Sequence, residues 1–319
     1  MRPQLLLLLA LSRLTNAGRF AVDASCQGVR LAENALDVMT NHPGDQWVQK
    51  MAKYVLGTEN YEAKFNAMKD TFRRVAAYEK EPYPHLPTEE KLDVEEGQIV
   101  STPTDDWLKE RTNMDVELYC GDGRFLKRNP DDIDEYWRDK STAKLFGGKA
   151  FPPLKRCYTP GLVLGSGQEV AKASTMRSSV LNKSGYLEAQ KTNPDVSEND
   201  FLKHKPHTAN TMDICPWFWK RAVDQGWPKV DAEMVEASKK DKFRDDLSHG
   251  QTPIDGLKTF GVTMLHEIPP GVTSCNNWLC VGALKTEKNA DSAAMLGLAM
   301  KLWSLKHYTE DDGTVHSYQ

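Results

Sequence analysis

Thr263-Met264-Leu265-His266-Glu267-Ile268-Pro269-Pro270-Gly271 is the stretch on which the fold of this chain turns, because it begins as a zinc-binding helix and then stops. In the H-E-x-x-H motif two histidines one helical turn apart bind Zn²⁺, and the Glu between them polarises the metal-bound water. His266 and Glu267 occupy the first two places, but the second histidine would fall at Pro270, which has no ring nitrogen to offer a metal. Pro269 also drives Ile268 out of helical geometry, and a Pro-Pro pair cannot continue the hydrogen-bond ladder. The helix is therefore expected to end before a partner one turn on can face His266. Half of a zinc site is present.

Just upstream, Thr252-Pro253-Ile254-Asp255 places a capping hydroxyl, a first-turn proline and an acidic third residue, which together predict a helix start. One helix is expected from Thr252 to Ile268, with Ile254, Leu257, Gly261, Met264, Leu265 and Ile268 on its buried face. His266 falls on another face, with Thr259, Val262 and Thr263. Downstream, Cys275 and Cys280 are spaced to close a small loop, and Ala290 to Lys306 reads as a second helix. There Ala294, Leu298, Lys301, Leu302 and Leu305 form a mostly apolar four-step face. Asp291, His307 and His316 also lie downstream as candidates to approach His266, which is expected to face this second helix or the Cys275–Cys280 loop; Asp291, at the start of that helix, reads as a capping residue.

The chain opens with a basic Met1-Arg2-Pro3-Gln4, an apolar run from Leu5 to Leu11, and Thr15-Asn16-Ala17. A membrane span needs about 20 apolar residues, so this run matches a signal-peptide core with cleavage after Ala17. Residues 1–17 are thus expected to be removed, leaving 18–319 as an extracellular, secreted protein with no membrane attachment. Cleavage moves the formal net charge from −4 to −6, because Arg2 and Arg13 leave with the leader. A mildly acidic chain has no bulk attraction to nucleic acid. All six cysteines lie beyond the cleavage site, and an even count in an oxidising compartment argues for disulfides, with the pairing left open. Asn182-Lys183-Ser184 is a glycosylation sequon.

Before Glu81-Pro82-Tyr83-Pro84-His85-Leu86-Pro87, whose prolines forbid a regular helix, the chain reads as helical. One helical segment runs from Val29 to Gly57, interrupted near His42-Pro43-Gly44, and another from Asn60 to Lys80. In the latter, Tyr61, Phe65, Met68, Phe72, Val75 and Ala76 form one apolar stripe. The middle is more strand-like, with alternation over Met114 to Cys120 and a short apolar run from Tyr158 to Leu164. Asp131 to Asp139 reads as a solvated acidic surface. Gly161 to Gly167 lacks the third glycine of a dinucleotide loop, since position 170 is Val170, and reads as a turn. His204 and His207 bracket Pro206 and read as a surface loop.

Three blocks in order carry a wider pattern: Thr211-Met212-Asp213-Ile214-Cys215-Pro216-Trp217-Phe218, then Thr263 to Glu267, then Asn289-Ala290-Asp291-Ser292 leading into an apolar helix through Leu302. Together, over about Met212 to Trp303, they resemble the secreted fungal zinc metalloendopeptidases of the deuterolysin and lysine-specific endopeptidase group. The resemblance implies a zincin-like metallopeptidase scaffold, and with the patterns above the expected fold over 18–319 is α+β, predominantly helical, with a small sheet and an N-terminal helical region to about residue 80. It implies Zn²⁺ held by two histidines and a downstream Asp, a Glu as general base, a nearby Tyr, and a protein or peptide substrate. His266 matches the first histidine and Glu267 the base. Pro270 replaces the second histidine, and Gly271 to Gly282 contains no Asp, Glu, His or Tyr to supply the remaining ligand or the tyrosine.

Two functions follow. One is a secreted zinc metalloendopeptidase, with Zn²⁺ as cofactor, whose missing ligands either come from elsewhere in the fold or were lost from the translated sequence alone through a misplaced intron between Glu267 and Leu284. The other is a noncatalytic secreted binding protein on the same scaffold, with no cofactor. Ligand counting favours weak or absent proteolysis, because catalytic zinc takes three protein ligands as a rule and only His266 is evident.

Overall fold

The computed structural model describes residues 5–6, 15–78, 116–120, 125–126, 137–139, 145–146, 172–176, 210–247, 250–267, 275 and 277–318. The proline-rich joint, Tyr158 to Leu164, Gly161 to Gly167, the sequon, His204, His207 and Ile268 to Pro270 lie outside them. In chain order the elements begin with β1 (Leu5–Leu6), α1 (Thr15–Asn41), α2 (Gln46–Leu56), α3 (Tyr61–Ala76), β2 (Val116–Cys120), β3 (Phe125–Leu126), β4 (Trp137–Asp139), β5 (Leu145–Phe146), β6 (Ala173–Met176) and β7 (Asn210–Ile214). They continue with α4 (Pro216–Asp224), α5 (Ala232–Ser238), α6 (Asp241–Asp245), α7 (Pro253–Gly256), α8 (Phe260–Glu267), α9 (Trp278–Leu284), α10 (Ala290–Ser304), β8 (His307–Thr309) and β9 (Val315–Ser317). The protein is α+β and, among the described residues, mostly helical. None of the described helices is long and apolar enough to cross a membrane.

The chain divides into two compact units, one of Met1–Arg19, Glu81–Leu162 and Val170–Lys220, the other of Phe20–Lys80, Val163–Glu169 and Arg221–Gln319. The first is built around strands. A mixed sheet runs in the order β1-β2-β7-β6, with β1 and β2 parallel, β2 and β7 parallel, and β6 antiparallel to β7. Because β7 is flanked on both edges, its backbone groups are paired, and Thr211, Met212, Asp213 and Ile214 are fully buried. A smaller antiparallel sheet joins β3, β4 and β5. The acidic stretch expected to be plain surface thus ends in a strand, since Trp137–Asp139 is the middle member of that sheet.

The second unit carries the helical core. Asp45 caps α2 by accepting the Trp47 and Val48 amide protons at 2.9 and 3.1 Å, while Pro43 and Gly44 separate it from α1. In α3 the expected stripe of Tyr61, Phe65, Met68, Phe72 and Val75 is buried. At the centre lies α10, buried on every face from Ala290 to Met300 rather than along one stripe. Its Ala-Met-Leu-Gly-Leu-Ala-Met run has no polar side, and such a helix belongs inside a core. Each fully buried leucine there contributes about 1.5–3 kcal/mol.

The helix expected from Thr252 to Ile268 is two helices. α7 is fixed at its start by a capping box in which Asp255 Oδ2 accepts from the Thr252 amide at 2.9 Å and from its hydroxyl at 2.7 Å. The chain then leaves helical geometry at Leu257, and Thr259 restarts it by accepting the Val262 and Thr263 amides through its carbonyl. The break turns α8 so that every residue from Phe260 to Leu265 is buried, Val262 and Thr263 included.

Two close approaches seat α8. A Cβ on Gly28 of α1 would stand 2.8 Å from Met264 Cβ and 3.1 Å from the Gly261 carbonyl oxygen, so glycine lets the two helices meet backbone to backbone. A Cβ on Gly297 would collide with Leu265 Cδ2, and its absence lets α8 lie along α10. The sheet that meets this region is the antiparallel hairpin of β8 and β9, whose turn accepts the Ile254 amide at the Gly313 carbonyl, 3.2 Å.

Candidate functional site

His266 and Glu267 are the last two residues of α8, where the helix emerges from its buried course. The His266 side chain is 31% exposed and that of Glu267 11%. Asp291, near the start of α10, faces them with 10% of its side chain exposed. His266 Nδ1 lies 2.9 Å from Asp291 Oδ1, a hydrogen bond in which the ring donates to the carboxylate. The other ring nitrogen, Nε2, stands 3.9 Å from Glu267 Oε1.

Asp291 is held in turn. Its Oδ2 accepts the Cys275 amide proton at 2.8 Å, and its own amide donates to Asn289 Oδ1 at 3.1 Å. The capping role expected of Asp291 therefore belongs to Asn289, which leaves the Asp291 carboxylate for His266. Cys275 is joined to Cys280 by a disulfide, the small loop anticipated from their spacing. Cys215 is disulfide-bonded as well. Beside this cluster Asn289 Nδ2 and Ser292 Oγ are buried with no hydrogen-bond partner.

The electrostatics follow from this packing. Burial pulls the His266 pKa down, but the hydrogen bond and charge of Asp291, with the charge of Glu267, outweigh it and hold the imidazole above its usual value. Lys258, itself 3.3 Å from Asp255 Oδ1, opposes them weakly. The result is a basic imidazole of fixed orientation between two carboxylates. When neutral it keeps its proton on Nδ1, so the lone pair points out from Nε2 and the ring can accept or return a proton there.

The other downstream candidates are engaged elsewhere. His307 is buried, with Nδ1 2.7 Å from the Leu305 carbonyl and Nε2 2.8 Å from Glu236 Oε1. His316 stacks on Tyr308 at 5.5 Å between ring centroids. Among the described residues the donors do not fit a zinc centre of the H-E-x-x-H kind. Both Asp291 oxygens accept hydrogen bonds, and no group of three or more His, Cys, Asp or Glu among the described residues is arranged to hold a metal ion.

His266 lies against the start of the downstream helix and beside the Cys275–Cys280 loop, as expected from the sequence; that Asp291, read there as a capping residue, takes the ring with the Cys275 amide behind it was not apparent from the residues alone. The available signal was position: an acidic residue two places past an Asn that already caps the helix has no capping duty left. No protein-family model matches the chain, and comparison with curated proteins and with solved structures finds no match either.

Proposed function

We propose that this chain is a secreted protein built on the plan of a zinc metalloendopeptidase, zincin-like in scaffold, in which the metal centre has been reduced and peptide hydrolysis is weak or absent. The observation that carries the reading is the Asp291–His266 hydrogen bond beside Glu267. A metal-binding histidine almost always donates its second ring nitrogen to a carboxylate or carbonyl, which orients the ligating nitrogen. Here Asp291 holds Nδ1 in that way, Nε2 is the nitrogen left to act, and the residue in the position of the general base follows directly. What supports reduction is the donor set, one imidazole where catalytic zinc uses three protein ligands. The role that remains is recognition of a protein or peptide without cutting it, outside the cell once residues 1–17 are removed.

Metal content and proteolysis test this together. Purified secreted chain is expected to carry well under one zinc per molecule, to leave casein uncleaved with or without chelator, and to behave identically after Glu267→Gln. Stoichiometric zinc with casein cleavage that disappears in Glu267→Gln overturns the reading and restores an active peptidase.

A further inference from the structure

We propose that the Cys275–Cys280 disulfide is the positioning element of the His266–Asp291 pair, fixing the imidazole through one backbone amide. The inference rests on the reading of His266 as the working residue of the site. Three of the four groups in this chain of contacts sit on regular structure. His266 ends α8, Asp291 opens α10 behind its Asn289 cap, and Cys280 lies in α9. Cys275 belongs to no helix or strand, yet its N–H holds Asp291 Oδ2 at 2.8 Å while Asp291 Oδ1 holds His266 Nδ1 at 2.9 Å.

What keeps that amide in place is the cross-link. The Cα atoms of Cys275 and Cys280 are 5.5 Å apart, and the anchor end is rigid on several counts. The Cys280 amide donates to Asn277 Oδ1 and the Trp278 amide to Asp255 Oδ1, each at 2.9 Å. The Trp278 ring is fully buried, stacks on Tyr54 at 4.7 Å, and donates its indole N–H to the Glu310 carbonyl at 2.9 Å. Closing a short loop onto such an anchor removes the freedom of its other end. Without the bond the Cys275 amide is released, Asp291 loses one of the two charge-assisted hydrogen bonds that set its rotamer, and the restraint on His266 Nδ1 weakens.

The test reads the ring proton itself. In the full secreted chain with ¹⁵N-labelled histidine, NMR follows the His266 Nδ1–H, assigned by its loss in Asp291→Asn. His307 serves as the internal reference, because its Nδ1 must donate to the Leu305 carbonyl, which can only accept. Replacing both cysteines, as Cys275→Ala with Cys280→Ala and in parallel as the two serine changes, is expected to speed exchange of the His266 proton at least tenfold. The His307 signal should stay unchanged. An unchanged His266 signal overturns the proposal, as does its absence from the unmodified protein. Loss of both signals together also overturns it, because the disulfide would then be supporting the fold and not the site. Zinc content and casein cleavage do not enter this comparison, so the functional reading can fail while the positioning role stands.

Discussion

A single carboxylate decides what His266 can do. Asp291 holds its ring by one oxygen and a backbone amide by the other, and the imidazole is more basic than usual despite its burial. A histidine whose folded pKa is raised contributes stability that is fully present below its unfolded value and is lost as pH rises through the folded one. Asp291→Asn should therefore cost more at pH 5, where the imidazolium loses a charged partner, than at pH 9, where a neutral ring loses an ordinary hydrogen bond. At pH 5 the cost is expected to be roughly 1.5–3 kcal/mol, the scale of a hydrogen bond to a charged group. Urea unfolding at the two pH values measures the difference, and equal costs would show that Asp291 does not act on the charged ring.

At the scale of elements, the position of α8 depends on two glycines, Gly28 of α1 and Gly297 of α10, each of which packs against it. Gly28→Ala places a methyl group against Met264 Cβ and the backbone at Gly261 and Leu265, none of which can swing aside. Overpacking of this kind costs about 1–3 kcal/mol, more than the roughly 0.8–1 kcal/mol that alanine returns in helix propensity. Net destabilisation is expected, with faster exchange of the α8 amides, in hydrogen-exchange mass spectrometry. Gly297→Ala should be milder, because the obstacle there is the end of the flexible Leu265 side chain. A Gly28→Ala protein as stable as the parent and with unchanged α8 protection would show that the close approach is not required. The start of α7, the break near His42-Pro43-Gly44 and the stripe of α3 were all legible in the sequence, because caps, prolines and apolar spacing act within a few residues. The break between α7 and α8 was not, since the apolar spacing continues across it and only packing decides where the ladder is interrupted.

Over the whole molecule, the hairpin of β8 and β9 secures the helical unit along much of its length. Tyr308 stacks on Trp47 at 3.8 Å, Glu310 pairs with Lys50 and takes the Trp278 indole proton, and Gly313 takes the Ile254 amide. Tyr318 donates its hydroxyl to the Trp303 carbonyl at 2.7 Å, and burial, with the charge of Asp45, raises its pKa to about 12. Deleting residues 307–319 should destabilise this unit by more than about 4 kcal/mol, in the range reached only when packing and buried hydrogen bonds go together. A thermal melt of the shortened chain checks this, and an unchanged midpoint would mean that the hairpin is an accessory. By itself the sequence determined the helical character of the N-terminal and C-terminal parts, the strand at Val116–Cys120, the Cys275–Cys280 loop and the prominence of His266 and Glu267. Each of those rests on local spacing, on turn chemistry or on a short reach along the chain. Only the tertiary structure decided that α10 is a core helix buried all round, that Asn289 caps it, and that Asp291 is thereby free to take His266. Those outcomes depend on which backbones approach one another, and that is set by packing between segments far apart in the chain.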